Sequence, residues 1–220
     1  GGDVGMTMSL PLFFTACYLM DDYTGWGLTA HATVRRWIRD MVEPQRRIIF
    51  FGGEEMFNNW EDSRLRYLAT GALALDDIEL LQYVFDRWKV IVPIKMNERG
   101  ALPKECGRTR SMTYTIASLG MCLDVAQIAK AFNLDLFNYA HNGACMKRVV
   151  DYAAHHLLHM DEWPYRMLSP AQEEMQKNKH FGCWELAYSE WGDPRYLEVM
   201  NTYQKRPLLL EHVSLIFGKP

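Results

Sequence analysis

The residues best suited to chemistry lie in one short stretch, where charged side chains lead into a long apolar segment. Arg108 and Arg110 precede Tyr114, and Tyr114 follows Arg110 by four residues, so the two share a face if both are helical. A phenol beside two guanidiniums favours chemistry on an anion, because arginine binds carboxylates and a phenol can exchange a proton. The alternative is a surface arginine cluster at the start of a core helix.

The element that must position these residues is a helix over residues 111–132. Apolar side chains recur along it at helical spacing in two stripes, one of Met112, Ile116, Leu119, Leu123 and Ala126, the other of Met121, Val125, Ile128 and Phe132. Two apolar stripes predict a helix that is buried on most of its girth. Arg99-Gly100 and Pro103 predict a turn before it, since glycine and proline resist regular structure.

Length and composition predict one domain, residues 1–220, with a sizeable core, because 49% of the residues are apolar. The formal charge of −3 argues against a broad basic surface, so we expect no nucleic-acid partner and only a local anion site. Residues 9–20 are apolar but too short to cross a bilayer, and no basic leader precedes them. We therefore interpret this segment as a core helix and expect no membrane association.

Periodicity along the rest of the chain predicts about eight helices joined by short turns. They fall near residues 10–20, 31–41, 65–75, 78–92, 111–132, 146–157, 183–190 and 194–203. Residues 43–60 look irregular, and only 47–51 and 213–217 are strand candidates. Short turns between successive helices give antiparallel hairpins, which predicts a stacked or toroidal all-α domain.

Four landmarks appear in a fixed order along residues 55–205. They are Asn58-Asn59, then Gly100-Ala-Leu-Pro-Lys-Glu105 with its arginine-rich run and Tyr114, then Asn133-Leu-Asp-Leu136 with Asn142-Gly-Ala144, and lastly Asn178-Lys179 through Trp184-Glu185 and Tyr188. In order and spacing they resemble the alginate lyase family, the family 5 polysaccharide lyases and their relatives. The resemblance implies an all-α fold, an α/α toroid built as an incomplete barrel of antiparallel helical hairpins.

The same resemblance implies which residues form the site. The catalytic candidates are Tyr114, Arg108, Asn58 and Asn59, and we expect them to face one cleft. The substrate-binding candidates are Arg110, Glu105, Trp60, His141, Lys179, His180, Trp184 and Tyr188. No metal or other cofactor is implied.

The chain departs from the family pattern at three places. Trp60 follows the asparagine pair where the family has its catalytic histidine, and the run from Glu105 to Tyr114 is one residue shorter, which leaves Arg108 as the favoured functional arginine and Arg110 as its partner. The family also has more helices ahead of the asparagine pair than this chain can hold. A truncated toroid would leave an apolar seam, so we expect helix 10–20 to associate with another chain or a missing amino-terminal segment.

The implied reaction is β-elimination on an acidic polysaccharide. A uronate lyase removes the proton at C5, beside a carboxylate, and expels the C4 oxygen; amide and guanidinium donors stabilise the charge that develops. Tyr114 beside a guanidinium is a reasonable base and acid. In mannuronate and glucuronate the C5 proton and C4 oxygen lie on one face, so a single tyrosine suffices, and the missing histidine favours mannuronan or glucuronan. His141 or His180 could instead supply a second group. From this substrate class we infer a secreted or periplasmic protein.

Two alternatives stay open. One is a toroid glycoside hydrolase that uses paired acids such as Glu54-Glu55 or Asp76-Asp77, although the second pair is better explained as a helix cap. The other is an inert carbohydrate-binding or scaffold protein, which the missing histidine keeps open. His155 and His159 have zinc-binding spacing, but no glutamate lies between them as in metalloproteases, so we expect no metal site.

Overall fold

The computed structural model describes residues 2–168 and 182–203. The chain divides into two compact units, Gly1–Trp88 and Lys89–Pro220, and the division falls inside one helix, α4 (Ile78–Lys95). The single domain predicted for residues 1–220 stays a prediction. Each unit is described by itself below.

The first unit is built around α3 (Asn59–Leu75), which is buried along most of its length. Two helices pack against α3: α1 (Gly2–Leu19) and α2 (Leu28–Val42). A 3-10 turn over Glu43–Arg46 and a hairpin of β1 (Phe50–Phe51) with β2 (Glu54–Glu55) connect α2 to α3. The core includes Phe14, whose ring lies edge-on to Tyr67 at 5.0 Å between centroids.

Both ends of α3 are fixed by side chains. Asn58 caps its amino terminus, and Asp76 ends it in the left-handed region at φ 55°. The next residue, Asp77, accepts a hydrogen bond at Oδ1 from the backbone of Leu80 (2.9 Å), which caps α4. The helix cap predicted for the aspartate pair is therefore confirmed at Asp77.

The helix predicted over residues 10–20 exists as part of α1, but burial is confined to one side. Pro11 and Phe14 are buried, whereas Phe13 is 44% exposed and Leu19 is 62% exposed. The reading of this segment as a core helix is therefore wrong for much of its surface. Its apolar residues exceed what packing against α3 covers, so α1 presents an apolar strip to the outside.

The second unit is built around α6 (Ser111–Ala131), the helix predicted over residues 111–132. It packs against three helices: α5 (Pro103–Cys106), α7 (Met146–Leu158) and α8 (Cys183–Trp191). The last helix described, α9 (Pro194–Tyr203), packs against α7 and α8, and a 3-10 turn over Met160–Glu162 follows α7. Helix α6 alone has the length and apolar character to cross a membrane among the described helices, but 67% of its most apolar window is buried in the chain, as a core helix requires.

Two hairpins with two-residue turns interrupt the helices. Gly52-Gly53 joins β1 to β2, and Asn142-Gly143 joins β3 (Ala140–His141) to β4 (Ala144–Cys145). All four turn residues have positive φ, between 50° and 89°. Such turns match the twist of the paired strands and favour asparagine and glycine. The strand candidate at 47–51 contains β1, whereas β2 and the pairing of the two strands were not predicted. The strand candidate at 213–217 lies outside the described residues.

Candidate active site

The predicted arginine and tyrosine meet at the start of α6. The guanidinium carbon of Arg108 lies 3.3 Å from the centroid of the Tyr114 ring, so the cation covers one face of the phenol. The Tyr114 amide donates to the carbonyl of Arg110 (3.0 Å), which places Tyr114 in the first turn of the helix. Arg108 is 30% exposed and Tyr114 is half-buried. The pair is therefore accessible and preformed.

A buried carboxylate lies beside this pair. Glu105 lies on α5, which begins with Pro103, and its Oε2 is 3.5 Å from Nη1 of Arg108. Glu105 is only 1% exposed, so its negative charge acts on the guanidinium with little screening by water. The sequence predicted a substrate-binding role for Glu105, whereas the geometry fits a residue that holds Arg108 in place.

The amino terminus of α6 is tied to the loop at residues 163–166. The Ser111 hydroxyl donates to the carbonyl of Arg166 (2.8 Å) and accepts from the indole nitrogen of Trp163 (2.8 Å). Ser111 is fully buried, so these bonds replace those that water would make. Sequence reasoning missed this support, because Ser111 and Trp163 lie far apart along the chain. Arg110, the residue just before α6, is half-buried.

A second polar cluster joins Cys106, the last residue of α5, to Tyr165 and Tyr152. Tyr165 hydrogen-bonds to Cys106, yet burial dominates and raises the pKa of the Cys106 thiol. Burial also raises the pKa of Tyr152, as does its hydrogen bond to Tyr165, while Arg99 opposes the shift. At neutral pH these groups therefore stay protonated and act as hydrogen-bonding partners.

In the first unit, the asparagine pair opens α3. The Oδ1 of Asn58 accepts a hydrogen bond from the amide of Trp60 (3.0 Å), which fixes the orientation of the carboxamide. Asn59 is buried and Trp60 is half-buried in the first turn. The predicted trio Asn58, Asn59 and Trp60 is thus held on a single helix end.

A buried ion network supports that helix end. Glu61 accepts two hydrogen bonds from Arg64, at 2.8 and 2.6 Å, and a third from Arg87 at 3.1 Å. Arg87 also pairs with Glu55 of the β1–β2 hairpin (3.2 Å). Burial lowers the pKa of Arg64, but its bonds to Glu61 more than compensate and the pKa is raised. The network ties the hairpin and the asparagine turn to the helix.

The other predicted site residues are dispersed within the second unit. His141 lies exposed on β3 beside the Asn142-Gly143 turn, and Tyr188 is half-buried on α8. Trp184 is fully buried, with its ring centroid 6.0 Å from that of Tyr196, so it belongs to the core and offers no face for a sugar ring. The role predicted for Trp184 is therefore corrected from substrate binding to packing in the core. Lys179 and His180 lie outside the described residues.

The acidic pairs weighed for a hydrolase have structural roles or are exposed. Glu55 pairs with Arg87, Glu54 is exposed on a two-residue strand, and Asp76-Asp77 close and open two helices. In the zinc-like pair, the His155 and His159 rings are tilted against each other at 4.9 Å, and His155 Nε2 contacts Glu162 at 2.8 Å. Within residues 2–168 and 182–203 no group of three metal-binding side chains forms.

Comparison with known proteins decides the family. The sequence profile described as alginate lyase matches residues 5–163, well over half of the chain. The chain belongs to the alginate lyase family. A search of curated proteins finds no significant match to this chain.

Solved alginate lyases share its fold. One from Bacteroides ovatus superimposes with a TM-score of 0.76 at 18% identity, covering 93% of this chain and 55% of that chain. Alginate lyase A1-III from Sphingomonas species A1 gives 0.75 at 18%, with 94% and 60% covered. A Tyr-to-Phe variant of A1-III complexed with tetrasaccharide gives 0.76 at 18%, with 94% and 61% covered. These likenesses confirm the predicted all-α fold of the α/α-toroid type. The chain spans between 55 and 61% of the length of these structures.

Proposed function

We propose that this chain cleaves an acidic, uronate-containing polysaccharide such as mannuronan, alginate or glucuronan by β-elimination. The observation that carries the proposal is the guanidinium of Arg108 stacked 3.3 Å from the ring of a half-buried, accessible Tyr114. Membership of the alginate lyase family supports it. The polymer carries a carboxylate on each uronate, so a preformed cation at the reacting tyrosine suits this substrate class.

Tyr114 takes both proton-transfer roles. Its phenolate oxygen removes the C5 proton of the uronate, the electron pair forms the C4–C5 double bond, and the C4–O bond breaks. Tyr114 then returns that proton to the departing C4 oxygen, so the enzyme ends in its starting state. Arg108 supports both steps, because a cation over the ring stabilises the phenolate before it takes up the proton and after it gives the proton to the C4 oxygen. Glu105 keeps Arg108 in that position.

Asn58 and Asn59 are proposed to neutralise the substrate carboxylate. Because Oδ1 of Asn58 is used in the helix cap, the part of this carboxamide left to face substrate is the Nδ2 donor. A carboxylate accepts hydrogen bonds and an amide NH₂ donates them, so the capped orientation leaves a donor that can bind the substrate carboxylate. Arg110 at the start of α6 adds positive charge for binding.

The substitution of Trp60 for the family histidine favours a substrate that needs one catalytic group. In mannuronan and glucuronan, base and acid act on the same face, and Tyr114 suffices for both. The Tyr-to-Phe variant of A1-III complexed with tetrasaccharide supports the expectation that losing a phenol hydroxyl leaves sugar binding in place. Tyr188, His141, Lys179 and His180 remain proposed substrate contacts.

The deciding experiment offers purified protein polymannuronate, glucuronan and polyguluronate in separate reactions. A lyase forms an unsaturated uronate, so ultraviolet absorbance should rise with polymannuronate or glucuronan. New reducing ends without that absorbance would instead identify a hydrolase. Binding with neither signal would identify an inert carbohydrate-binding protein, the alternative that Trp60 in place of histidine keeps open.

We also propose a location and a partner. A substrate of this class places the protein outside the cell or in the periplasm. The exposed apolar strip of α1, formed by Leu12, Phe13, Tyr18 and Leu19, supports association with another chain or with a further segment along that helix.

A further inference from the structure

The turn before α5 lies against the beginning of α7. Asn97 Oδ1 accepts hydrogen bonds from the amides of Arg99 and Ala101, both at 3.0 Å, and between them Gly100 has φ +90°. A Cβ on Gly100 would lie 2.4 Å from the carbonyl oxygen of Arg148 and 3.0 Å from its Cγ. Only glycine fits there, and this close approach fixes where the Arg148 side chain starts.

The other end of that side chain reaches the β3–β4 turn. A Cβ on Gly143 would lie 3.9 Å from Nη2 of Arg148, so the guanidinium rests beside the Asn142-Gly143 turn with no side chain between them. His141 lies exposed on the same hairpin. Arg148 is also exposed, and across the described parts of the chain it makes no ion pair or hydrogen bond. Gly100 therefore packs against the backbone and Cγ of Arg148, and Gly143 lies beside its accessible guanidinium.

Arg148 lies in the same unit as the candidate catalytic pair. Arg148 and Tyr152 lie four residues apart on α7, and Arg99 acts electrostatically on Tyr152. Tyr152 bonds to Tyr165, and Tyr165 bonds to Cys106, the neighbour of Glu105. These hydrogen bonds run from Tyr152 to Cys106 inside the second unit, which also holds Arg148 and Arg108.

A polyuronate presents a carboxylate at every sugar, whereas the catalytic pair serves only the sugar that reacts. We propose that Arg148, assisted by Arg99, forms a subsite that binds the carboxylate of a second uronate unit in the chain. A guanidinium makes forked, charge-assisted bonds to a carboxylate, and the lack of a side chain at Gly143 leaves the Arg148 guanidinium open on that side. This inference rests on the proposed function, since it assigns a further contact to the same substrate.

The test compares Arg148→Ala, Arg148→Lys and wild type in calorimetric binding of oligomannuronates from two to six units. The affinity of wild type for oligomannuronate should rise at the chain length that first reaches Arg148. At that length Arg148→Ala should bind about tenfold more weakly than wild type, and on shorter chains the two should bind equally. Arg148→Lys should recover part of the gain. Arg36→Ala removes an equally exposed arginine from α2 of the first unit and should bind every length like wild type. Thermal unfolding of each variant checks the fold.

The outcomes separate this subsite from the proposed reaction. Length-dependent binding lost in Arg148→Ala, together with no unsaturated product from wild type, would keep the subsite and reject the lyase. Elimination by wild type with equal affinities for wild type and Arg148→Ala at every length would overturn the subsite alone. An equal loss on neutral oligomannose, which lacks the carboxylate, would overturn it as well. Absence of all uronate binding by wild type would reject both.

Discussion

Two arginine clusters in this protein use the same residue types for different ends. In the first unit, Arg64 has no exposed surface, and Glu61 holds it through two short hydrogen bonds. In the second unit, Arg108 is 30% exposed, and its carboxylate partner Glu105 is 3.5 Å away. Arg108 instead lies flat on an aromatic ring. The first cluster is closed to solvent and the second is open to it.

This difference in burial distinguishes an arginine that stabilises the fold from one that is available to bind a ligand. A buried, forked ion pair is costly to break, because removal of one partner strands a charge away from water. An open guanidinium over a phenol contributes less to stability and keeps a surface for an incoming anion. We therefore expect substitutions in the first cluster to change stability and those in the second to change activity.

The largest expected effect is at Tyr114. Tyr114→Phe removes only the hydroxyl, so fold and sugar binding should stay, while turnover should fall by about 10³ to 10⁴ because one group serves as base and acid. Initial rates from the ultraviolet absorbance of the product measure turnover, and calorimetry with oligomannuronate measures binding. Retention of more than about a tenth of wild-type activity would make the tyrosine structural. The catalytic role would then pass to His141 or His180, or the lyase proposal would fail.

The matching change in the closed cluster is Glu61→Gln. It leaves Arg64 and Arg87 without their shared carboxylate, so the free energy of unfolding should fall by about 3 to 5 kcal/mol. Urea denaturation followed by circular dichroism measures it. The control is Glu43→Gln, which breaks the exposed pair with Arg46 and should cost less than about 1 kcal/mol. Equal losses in the two variants would erase the distinction between closed and open clusters.

Arg108→Lys gives a smaller effect in the open cluster. Lysine keeps the charge but loses the planar fork that covers the ring and binds a carboxylate. We expect kcat/KM on polymannuronate to fall about tenfold to a hundredfold, with KM raised and the melting temperature nearly unchanged. Arg39→Lys, an exposed arginine of α2, serves as the control. A loss of stability without a loss of activity would assign Arg108 to the fold.

The apolar strip of α1 predicts an effect on assembly rather than on catalysis. Light scattering after size exclusion should give wild type a mass above the 25.6 kDa of one chain, because Phe13 and Leu19 expose apolar surface. Phe13→Gln combined with Leu19→Gln should shift the mass towards a monomer. Ile78→Gln changes an equally exposed apolar residue on α4 and should leave the mass unaltered. A monodisperse wild-type monomer would count against a partner copy at α1.

The smallest expected effect concerns pH. Burial lowers the pKa of His156, and neighbouring His155 lowers it further, so the folded state binds a proton less readily than the unfolded chain, whose value is 6.5. Stability from this group is complete above pH 6.5 and is lost as pH falls below it. His156→Phe should therefore reduce the drop in melting temperature between pH 7.5 and 5.5 by about 4 °C or less. An unchanged or larger drop in the variant would show that other groups cause it.

The helices could be predicted because their apolar spacing is local information. Helix α6 was expected over residues 111–132 and ends at Ala131. Of the four strands, only β1 lies within a predicted strand candidate, 47–51. The pairing of both hairpins was missed, although Gly52-Gly53 and Asn142-Gly143 are strong turn signals, because each strand has only two residues and no alternating pattern. Burial was harder to predict than secondary structure: α1 is half-exposed and Trp184 is enclosed.

Within the site, sequence order indicated Arg108 and Tyr114 because they are close in the chain, at the entrance to α6. The bonds from Ser111 to Arg166 and from Trp163 to Ser111 join residues more than fifty positions apart. Likewise, nothing in the neighbourhood of Gly100 points to Arg148, since their contact arises only when α7 packs beside the turn. Such pairings follow from tertiary packing, which residue spacing does not encode.

The helix cap at Asn58 has a consequence for how this residue can change. Its oxygen serves α3, whereas its nitrogen serves the proposed reaction, so folding and chemistry use different atoms of one side chain. Aspartate has nearly the same shape and caps helices as well, but it replaces the donor with a second acceptor. The proposal therefore predicts that Asn58→Asp keeps the helix cap and removes the donor proposed to bind the substrate carboxylate. Whether position 58 keeps the amide nitrogen therefore distinguishes selection for the proposed reaction from selection for folding alone.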